Sequence, residues 1–541
     1  MKIKISLLFI FFLKLFPTVA DEGMWLPMLL KQLNEQEMQI KGLKITAEEI
    51  YSVNKNSLKD AVVLFGGGCT GELISDQGLL LTNHHCGYSQ IQSHSSLESN
   101  YLRDGFWAMN KKEELPCPGL TAMFVVRMDN VTKEINKVLN DSMSEETRNE
   151  KIKQASAQLE KKTVDGTHYD AKVKSFFNGN EFYLIVTETF KDIRMVGAPP
   201  SSIGSFGGDT DNWMWPRHNG DFSLFRIYAN KNNEAADFSD ENIPFHPKFF
   251  FPICVGGVKE NDFTMVYGFP GRTQEYLSSY AVDVIANVSN PNKVKVRNQR
   301  LAIIDEAMRS SEKIHIQYAS KKSGVANAWK KWQGEATGLI RSNAVQKKQD
   351  DEKDFAVWAN RDASRKAKYG NLMNDFKQVY DGYVPYITAA DYYSEAGMGI
   401  EILSYAASFS HLIDLSKQKT PDENAIQAEA DKLLKAAAIF FKDYDALTDQ
   451  QMMAALLKLY NDNVVDSLMP SSLKELKTKC KNDYAAFATE IFKHSVFTSL
   501  DNVKKIASNP NKKQLRKLAK MLRGYLLIIL FQCIKQRLLL L

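Results

Sequence analysis

The chain has 541 residues, with 69 Lys and Arg against 64 Asp and Glu (formal net charge +5), 44% hydrophobic and 25% charged residues. That length predicts two or more domains with sizeable cores, and the composition is ordinary globular, which excludes a disordered chain, a collagen and a polytopic membrane protein. The charge is uneven: residues 1–20 hold three Lys and no acid, residues 504–541 hold ten Lys or Arg and no acid, and the body between is net −8. A nucleic-acid binder needs basic residues clustered on its folded surface, so nucleic-acid binding is not expected.

Residues 1–20 combine a basic start, an apolar run from Ile5 to Phe16 broken by Lys14, and small residues at Thr18 and Ala20. This pattern predicts a signal peptide cleaved before Asp21, a periplasmic or secreted protein, and no stable membrane insertion. Six cysteines are too few for a disulfide scaffold, so at most one or two bridges are expected.

Glycine then divides the chain, 21 of 29 falling in residues 1–300. Short β-type runs at Ala61–Phe65, Gly71–Ile74, Leu79–Thr82, Phe182–Thr187 and Phe263–Tyr267 predict an antiparallel barrel or sandwich, with a hairpin turn at Ser75–Gly78. A polar stretch from about Glu134 to Lys162 reads as a helical surface excursion. From about Tyr280 the apolar period becomes helical. Thr420-Pro-Asp-Glu423 predicts a helix capped by Thr420, with Ile426, Ala430, Leu433 and Ala437 inward, and Thr448 is expected to start the next helix in the same way. The division expected is 1–20 signal peptide, 21–279 β region, 280–520 helical domain, and 521–541 an aberrant apolar and basic tail.

The most specific segment runs from Gly66-Gly-Gly-Cys69 to Thr82-Asn-His-His-Cys86. A strand pair delivering a His-Cys dipeptide resembles the histidine corner of chymotrypsin-type proteases. That resemblance makes His85 the base, with His84 its neighbour, and implies a Cys69–Cys86 disulfide closing the loop. A polar loop and a metal site at His84, His85 and Cys86 are the other readings, although adjacent residues on an extended chain point to opposite faces and cannot all ligate one ion. Asp221 opens an alternating strand (Phe222, Leu224, Arg226, Tyr228) after a loop dense in Trp, Arg, Asn and Asp. It is either the carboxylate that orients the imidazole or a cap on the strand turn.

Those two blocks, with Gly204-Ser-Phe-Gly-Gly-Asp-Thr-Asp-Asn-Trp213 through Gly220-Asp-Phe-Ser223, Tyr267-Gly-Phe-Pro-Gly-Arg-Thr273 and the Asp-Glu-Gly-Met-Trp25 start, resemble the bacterial dipeptidyl-peptidase 7/11 family over residues 21 to about 515. The resemblance implies an exported serine exopeptidase that removes dipeptides from free peptide N-termini. Its fold would be a chymotrypsin-like double β-barrel with an inserted all-helical domain. It implies no cofactor and no metal. His85 is then the base and Asp221 its orienter, while Asn212, Trp213, Arg217 and Asn327 hold the substrate's N-terminal end. Arg217 has an alternative, pairing with Asp209 or Asp211. Family members look like dimers, which leaves a homodimer open.

The family's nucleophile lies in a Gly-Asn-Ser-Gly-Ser-type motif after the helical domain, and no such motif occurs in these 541 residues. The expectation is a C-terminally truncated member with an incomplete second barrel. It would be inactive for want of the Ser and its oxyanion hole, with the tail arising from a shifted frame or a gene-model end. Two other expectations stand beside it. One is a non-catalytic periplasmic peptide-binding protein that keeps the clamp. The other is a chain that a half-built barrel with open edges prevents from folding stably.

Overall fold

The structure, a computed structural model, describes residues 24–519 apart from 272–273, 275, 419, 470–472, 475–477, 479–482, 509 and 512–513. The expected signal peptide at 1–20 and tail at 521–541 lie outside the described residues, as do Cys480 and Cys533. The chain is mixed α and β, with a large antiparallel sheet and many helices. It divides into two compact units. One takes in the residues up to Leu80 with Pro118–Ile193 and Arg226–Phe269; the other takes in Leu81–Cys117, Arg194–Phe225 and the residues from Pro270 onward.

Among the described residues the strands are β1 (Val62–Phe65), β2 (Cys69–Leu73), β3 (Leu79–Thr82), β4 (Phe106–Trp107), β5 (Leu115–Pro116), β6 (Ala122–Asn130), β7 (Asp170–Phe176), β8 (Glu181–Phe190), β9 (Asp192–Ala198), β10 (Ser223–Ala229) and β11 (Ile243–Pro244). In the first unit β1 pairs with β2 and β6, β6 with β8, and β8 with β7, every pair antiparallel. The expected hairpin turn joins β2 to β3: the Ile74 amide donates to the Leu79 carbonyl at 2.9 Å, and the Ser75 hydroxyl accepts from the amides of Gln77 and Leu79. Gly78 closes it at φ +63°, where a Cβ would stand 2.7 Å from the Ile227 carbonyl oxygen, so only glycine fits. The helix Glu145–Val164 is the expected excursion. None of its residues is fully buried, and Ile152, Ala155 and Leu159 pack on Val131, Ile135, Phe182 and Leu184.

One expected strand is missing. Phe263–Tyr267 forms no strand, and Met265 and Val266 are exposed, while Phe263 and Tyr267 pack instead on Leu30, Met38 and Ile50. Spacing alone offered apolar residues to both faces of a strand; here two of them find a separate apolar cluster.

In the second unit β4 and β5 pair with β9. From Ser279 the described elements are helical, the longest being Glu312–Arg341, and their core gathers Val296, Ile304, Tyr318, Val325, Tyr392, Leu403, Phe409, Met453, Leu456 and Tyr460. Ile426, Ala430, Leu433 and Ala437 are the buried positions of the helix Glu423–Lys442. Its cap is Asp422, whose carboxylate accepts from the amides of Asn424 and Ala425, rather than Thr420. The next helix is likewise capped by Asp445, with Thr448 inside its first turn. In both cases an aspartate rather than the threonine takes the cap position, where its charge also favours the helix N-terminus.

Candidate active site

The site grows from the end of β3. Asn83 is extended at ψ 152°, and a helix, His84–His94, starts at the next residue. The two histidines therefore sit in a first helical turn and not on an extended strand end as the sequence suggested. The turn sends them to different environments: His84 is buried, and the His85 side chain is 59% exposed. Burial pushes the His84 imidazole below its usual range, and its ring lies so close to Gly204 that a Cβ there would come within 2.4 Å of it. A Cβ on Gly87, in the same helix, would come within 2.7 Å of the Ser223 hydroxyl, which donates to the Asn83 carbonyl at 2.8 Å.

Asp221, in the segment leading into β10, faces this turn. Its Oδ2 is 2.9 Å from His85 Nδ1, and its Oδ1 accepts from the His85 amide at 3.1 Å. The Asn83 side-chain amide donates to the Asp221 carbonyl at 3.1 Å and to Oδ2 at 3.4 Å. Burial pushes the Asp221 carboxyl up, but the hydrogen bonds and charge of His85, aided by the charge of Arg217, outweigh it and hold the group below the ordinary carboxylate range. An ionised carboxylate can only accept, so Nδ1 of a neutral His85 carries the proton and Nε2 carries the lone pair. Among the described residues no serine hydroxyl hydrogen-bonds to that imidazole. In β10 Ser223, Phe225, Ile227, Tyr228 and Ala229 are buried and Leu224 and Arg226 only partly covered, so the expected alternation breaks at Tyr228.

Cys69 and Cys86 form a disulfide. They and His85 are the one grouping among the described residues with metal-ligand spacing, and with both sulfurs bonded to each other it offers a single imidazole.

A second group of polar side chains lies in the same unit. The Asn212 side-chain amide donates to Asn327 Oδ1 at 3.0 Å, and the Trp213 indole N–H donates to both Oδ1 and the backbone carbonyl of Asn327 at 3.0 Å each. Asn327 belongs to the helix Glu312–Arg341, and Trp213 holds a left-handed backbone at φ +59°. With both lone pairs of Asn327 Oδ1 occupied, the Asn212 amide is fixed nitrogen-inward. Its own Oδ1 has no donor among the described residues. Arg217 is not drawn into this group: it is exposed, and among the described residues neither Asp209 nor Asp211 pairs with it. Asn83 is the residue that sequence reasoning passed over. Its signal was its place directly before the His pair.

The same unit thus holds a His–Asp pair with an open Nε2 and a group of amide side chains with a free acceptor, chemistry that a peptide-hydrolysing site can use. The sequence matches the model of the family Peptidase S46 over residues 20–525, and the chain belongs to that family. It is 45% identical over 500 residues to the Asp/Glu-specific dipeptidyl-peptidase of Flavobacterium psychrophilum, covering 92% of this chain and 69% of the relative. It is 39% identical to dipeptidyl-peptidase 7 of Capnocytophaga gingivalis, covering 94% and 71%. The fold matches the crystal structure of Porphyromonas endodontalis DPP11 in complex with the dipeptide Arg-Glu, with a TM-score of 0.79 at 32% identity over 94% of this chain and 76% of that one.

Proposed function

We infer that this chain carries the base, its orienter and the amino-terminus clamp of a serine-type dipeptidyl aminopeptidase, an exported enzyme of the periplasm or the medium. The observation that carries the reading is the 2.9 Å contact between His85 Nδ1 and Asp221 Oδ2, with Nε2 left open. In this reading His85 takes the proton of a serine hydroxyl at Nε2 and returns it to the leaving amine, while Asp221 holds the imidazolium. Asn212 Oδ1 accepts from the substrate's α-ammonium, Asn327 and Trp213 fix Asn212, and the Trp213 ring walls the cleft beyond the second residue. Arg217 joins them at the substrate's N-terminal end, and its charge also helps hold Asp221 ionised. The scaffold is read as a chymotrypsin-like double barrel over 21–279 with a helical domain over 280–520, the second barrel incomplete within these residues.

Because no Gly-x-Ser-x-Gly or Gly-x-Ser-Gly motif occurs here, a polypeptide of these 541 residues should bind peptides without hydrolysing them. That observation also favours the second reading, a peptide-binding protein. Relatives named Asp/Glu-specific range from 35% to 46% identity and those named dipeptidyl-peptidase 7 from 36% to 39%; because the 45% and 46% matches carry the first name, dipeptides ending in Asp or Glu are the first ligands to try. The test is calorimetric titration of the purified chain with Arg-Glu and with N-acetyl-Arg-Glu, beside a chromogenic dipeptide assay. Saturable binding of the free-amine peptide alone is the expected result. Equal binding of both peptides would remove the amino-terminus clamp, and release of chromophore would overturn the claim that these residues lack a nucleophile.

A further inference from the structure

Asn327 is itself held in place from behind. Arg297, on the helix Asn290–Ser310, sends Nη1 to the backbone carbonyls of Gly324 at 3.1 Å and Val325 at 3.0 Å, in the turn of the helix Glu312–Arg341 that leads into Asn327. The next residue, Asn298, accepts from the indole N–H of Trp329 at 2.5 Å, just beyond Asn327. Arg297 and Asn298 thus grip the helix on both sides of the clamp residue. A helical carbonyl already accepts from the amide four residues on, and these two use their second lone pair for the guanidinium. The reinforcement falls where the helix is intrinsically weak, since Gly324 offers it neither propensity nor side-chain packing.

Arg297 is in turn fixed by Glu395, which it meets in a two-pronged pair, Nε to Oε2 at 2.8 Å and Nη2 to Oε1 at 3.1 Å. Both side chains are largely covered, 14% and 11% exposed. Glu395 sits in a π-helical turn, Tyr393–Gly397, and such widened turns recur at functional sites. The Trp332 ring, 4.6 Å from the guanidinium carbon, closes the remaining face. A lysine could supply the charge here but not the planar fork that reaches a carboxylate and two carbonyls at once.

We propose that Arg297, held by Glu395, is a positioning residue for substrate recognition: it fixes the helical turn that presents Asn327, and through Asn327 the Asn212 oxygen that takes the substrate's α-ammonium. The proposal rests on the ammonium-clamp reading given above, and the experiment separates the two. The full chain is titrated with Arg-Glu and N-acetyl-Arg-Glu, and the ratio of the two affinities is the readout; a residue that only stabilised the fold would shift both affinities and leave the ratio alone. The wild type should favour the free amine by at least about tenfold, the scale of one charge-assisted hydrogen bond. Arg297→Met should cut that ratio by roughly fivefold or more while leaving the acetylated peptide within about twofold. Arg297→Lys should fall between, and in an Asn327→Ala background Arg297→Met should change nothing further. Should Arg297→Met fail to unfold cooperatively, Glu395→Gln is read in its place. A ratio unchanged in Arg297→Met or Glu395→Gln but lost in Asn327→Ala overturns the positioning role and leaves the clamp standing. A ratio unchanged in Asn327→Ala overturns the clamp itself.

Discussion

The Trp213 indole N–H lies 3.0 Å from both carbonyl oxygens of Asn327, one on the backbone and one on the side chain. A bulky residue at φ +59° is an uncommon backbone state that surrounding structure must hold. The two-acceptor contact is what holds the ring against the helix. Trp213→Phe keeps the ring wall and removes the donor, freeing Asn327 Oδ1 to turn. It should weaken Arg-Glu binding by roughly three- to tenfold, the worth of one hydrogen bond. Calorimetry checks this, and Trp213→Phe binding as tightly as wild type would show that the donor is dispensable.

Asp221 gathers three donors: the His85 amide, the His85 imidazole and the Asn83 side chain. Asp221→Ala strands them and should cost about 1–3 kcal/mol of stability at neutral pH. Its folded pKa is depressed, so the contribution of this carboxylate is present above the ordinary carboxylate range and is lost as pH falls through the lower, folded value. Denaturant melts of wild type and variant should therefore differ at pH 7 and converge toward pH 3. A constant gap across that range would mean that the charge of Asp221 plays no part.

The disulfide between Cys69 and Cys86 closes a short loop around the His pair. Chain entropy assigns such a loop roughly 3 kcal/mol. Cys86→Ser should lower the urea midpoint accordingly, and reductant should do the same to the wild type but nothing to the variant. If reductant left the wild-type midpoint in place, the loop would be held by packing alone.

What the sequence made legible follows the range of each signal. The Ser75–Gly78 hairpin and the inward face of the helix Glu423–Lys442 depend on neighbours within a few residues, and both are where the pattern put them. His85 and Asp221 were singled out by short dense blocks, and the fold brings them to 2.9 Å across 136 positions. The helical start at His84 was missed: Asn83 occupies the cap position without a side-chain hydrogen bond to the helix, and its NH2 group donates to Asp221. Arg297 was invisible for another reason: its partners are backbone carbonyls 27 and 28 residues away and a carboxylate 98 away, and no local pattern encodes them. The cap at Asp422 was misread as Thr420 because the Thr-Pro-x-Glu signature fits one register as well as an Asp two residues later. This is directly testable: Asp422→Ala should cost about 1 kcal/mol and Thr420→Ala almost nothing.

The pH dependence of the helical core should turn on Asp449. It is fully buried, and its carboxylate accepts from the amides of Glu401 and Ile402 at 2.8 Å each and from the Tyr444 hydroxyl at 3.1 Å. Burial, with the nearby Glu401 carboxylate, pushes its pKa up to about 7 despite those donors. Glu401 itself is engaged by Lys321 at 2.5 Å and by the Tyr318 hydroxyl at 2.8 Å. Between pH about 4 and 7 the unfolded chain has Asp449 ionised and the folded chain has it protonated. Its stabilising contribution is therefore complete below about pH 4 and is lost as pH rises through 7. His84 acts in the opposite sense, since burial keeps it neutral in the fold while the unfolded chain takes a proton below about pH 6.5. Comparing wild type with Asp449→Asn cancels His84 and isolates Asp449. Plotted against pH, the wild-type stability minus that of Asp449→Asn should fall from pH 4.5 to 8; a flat difference would mean that Asp449 is ionised throughout.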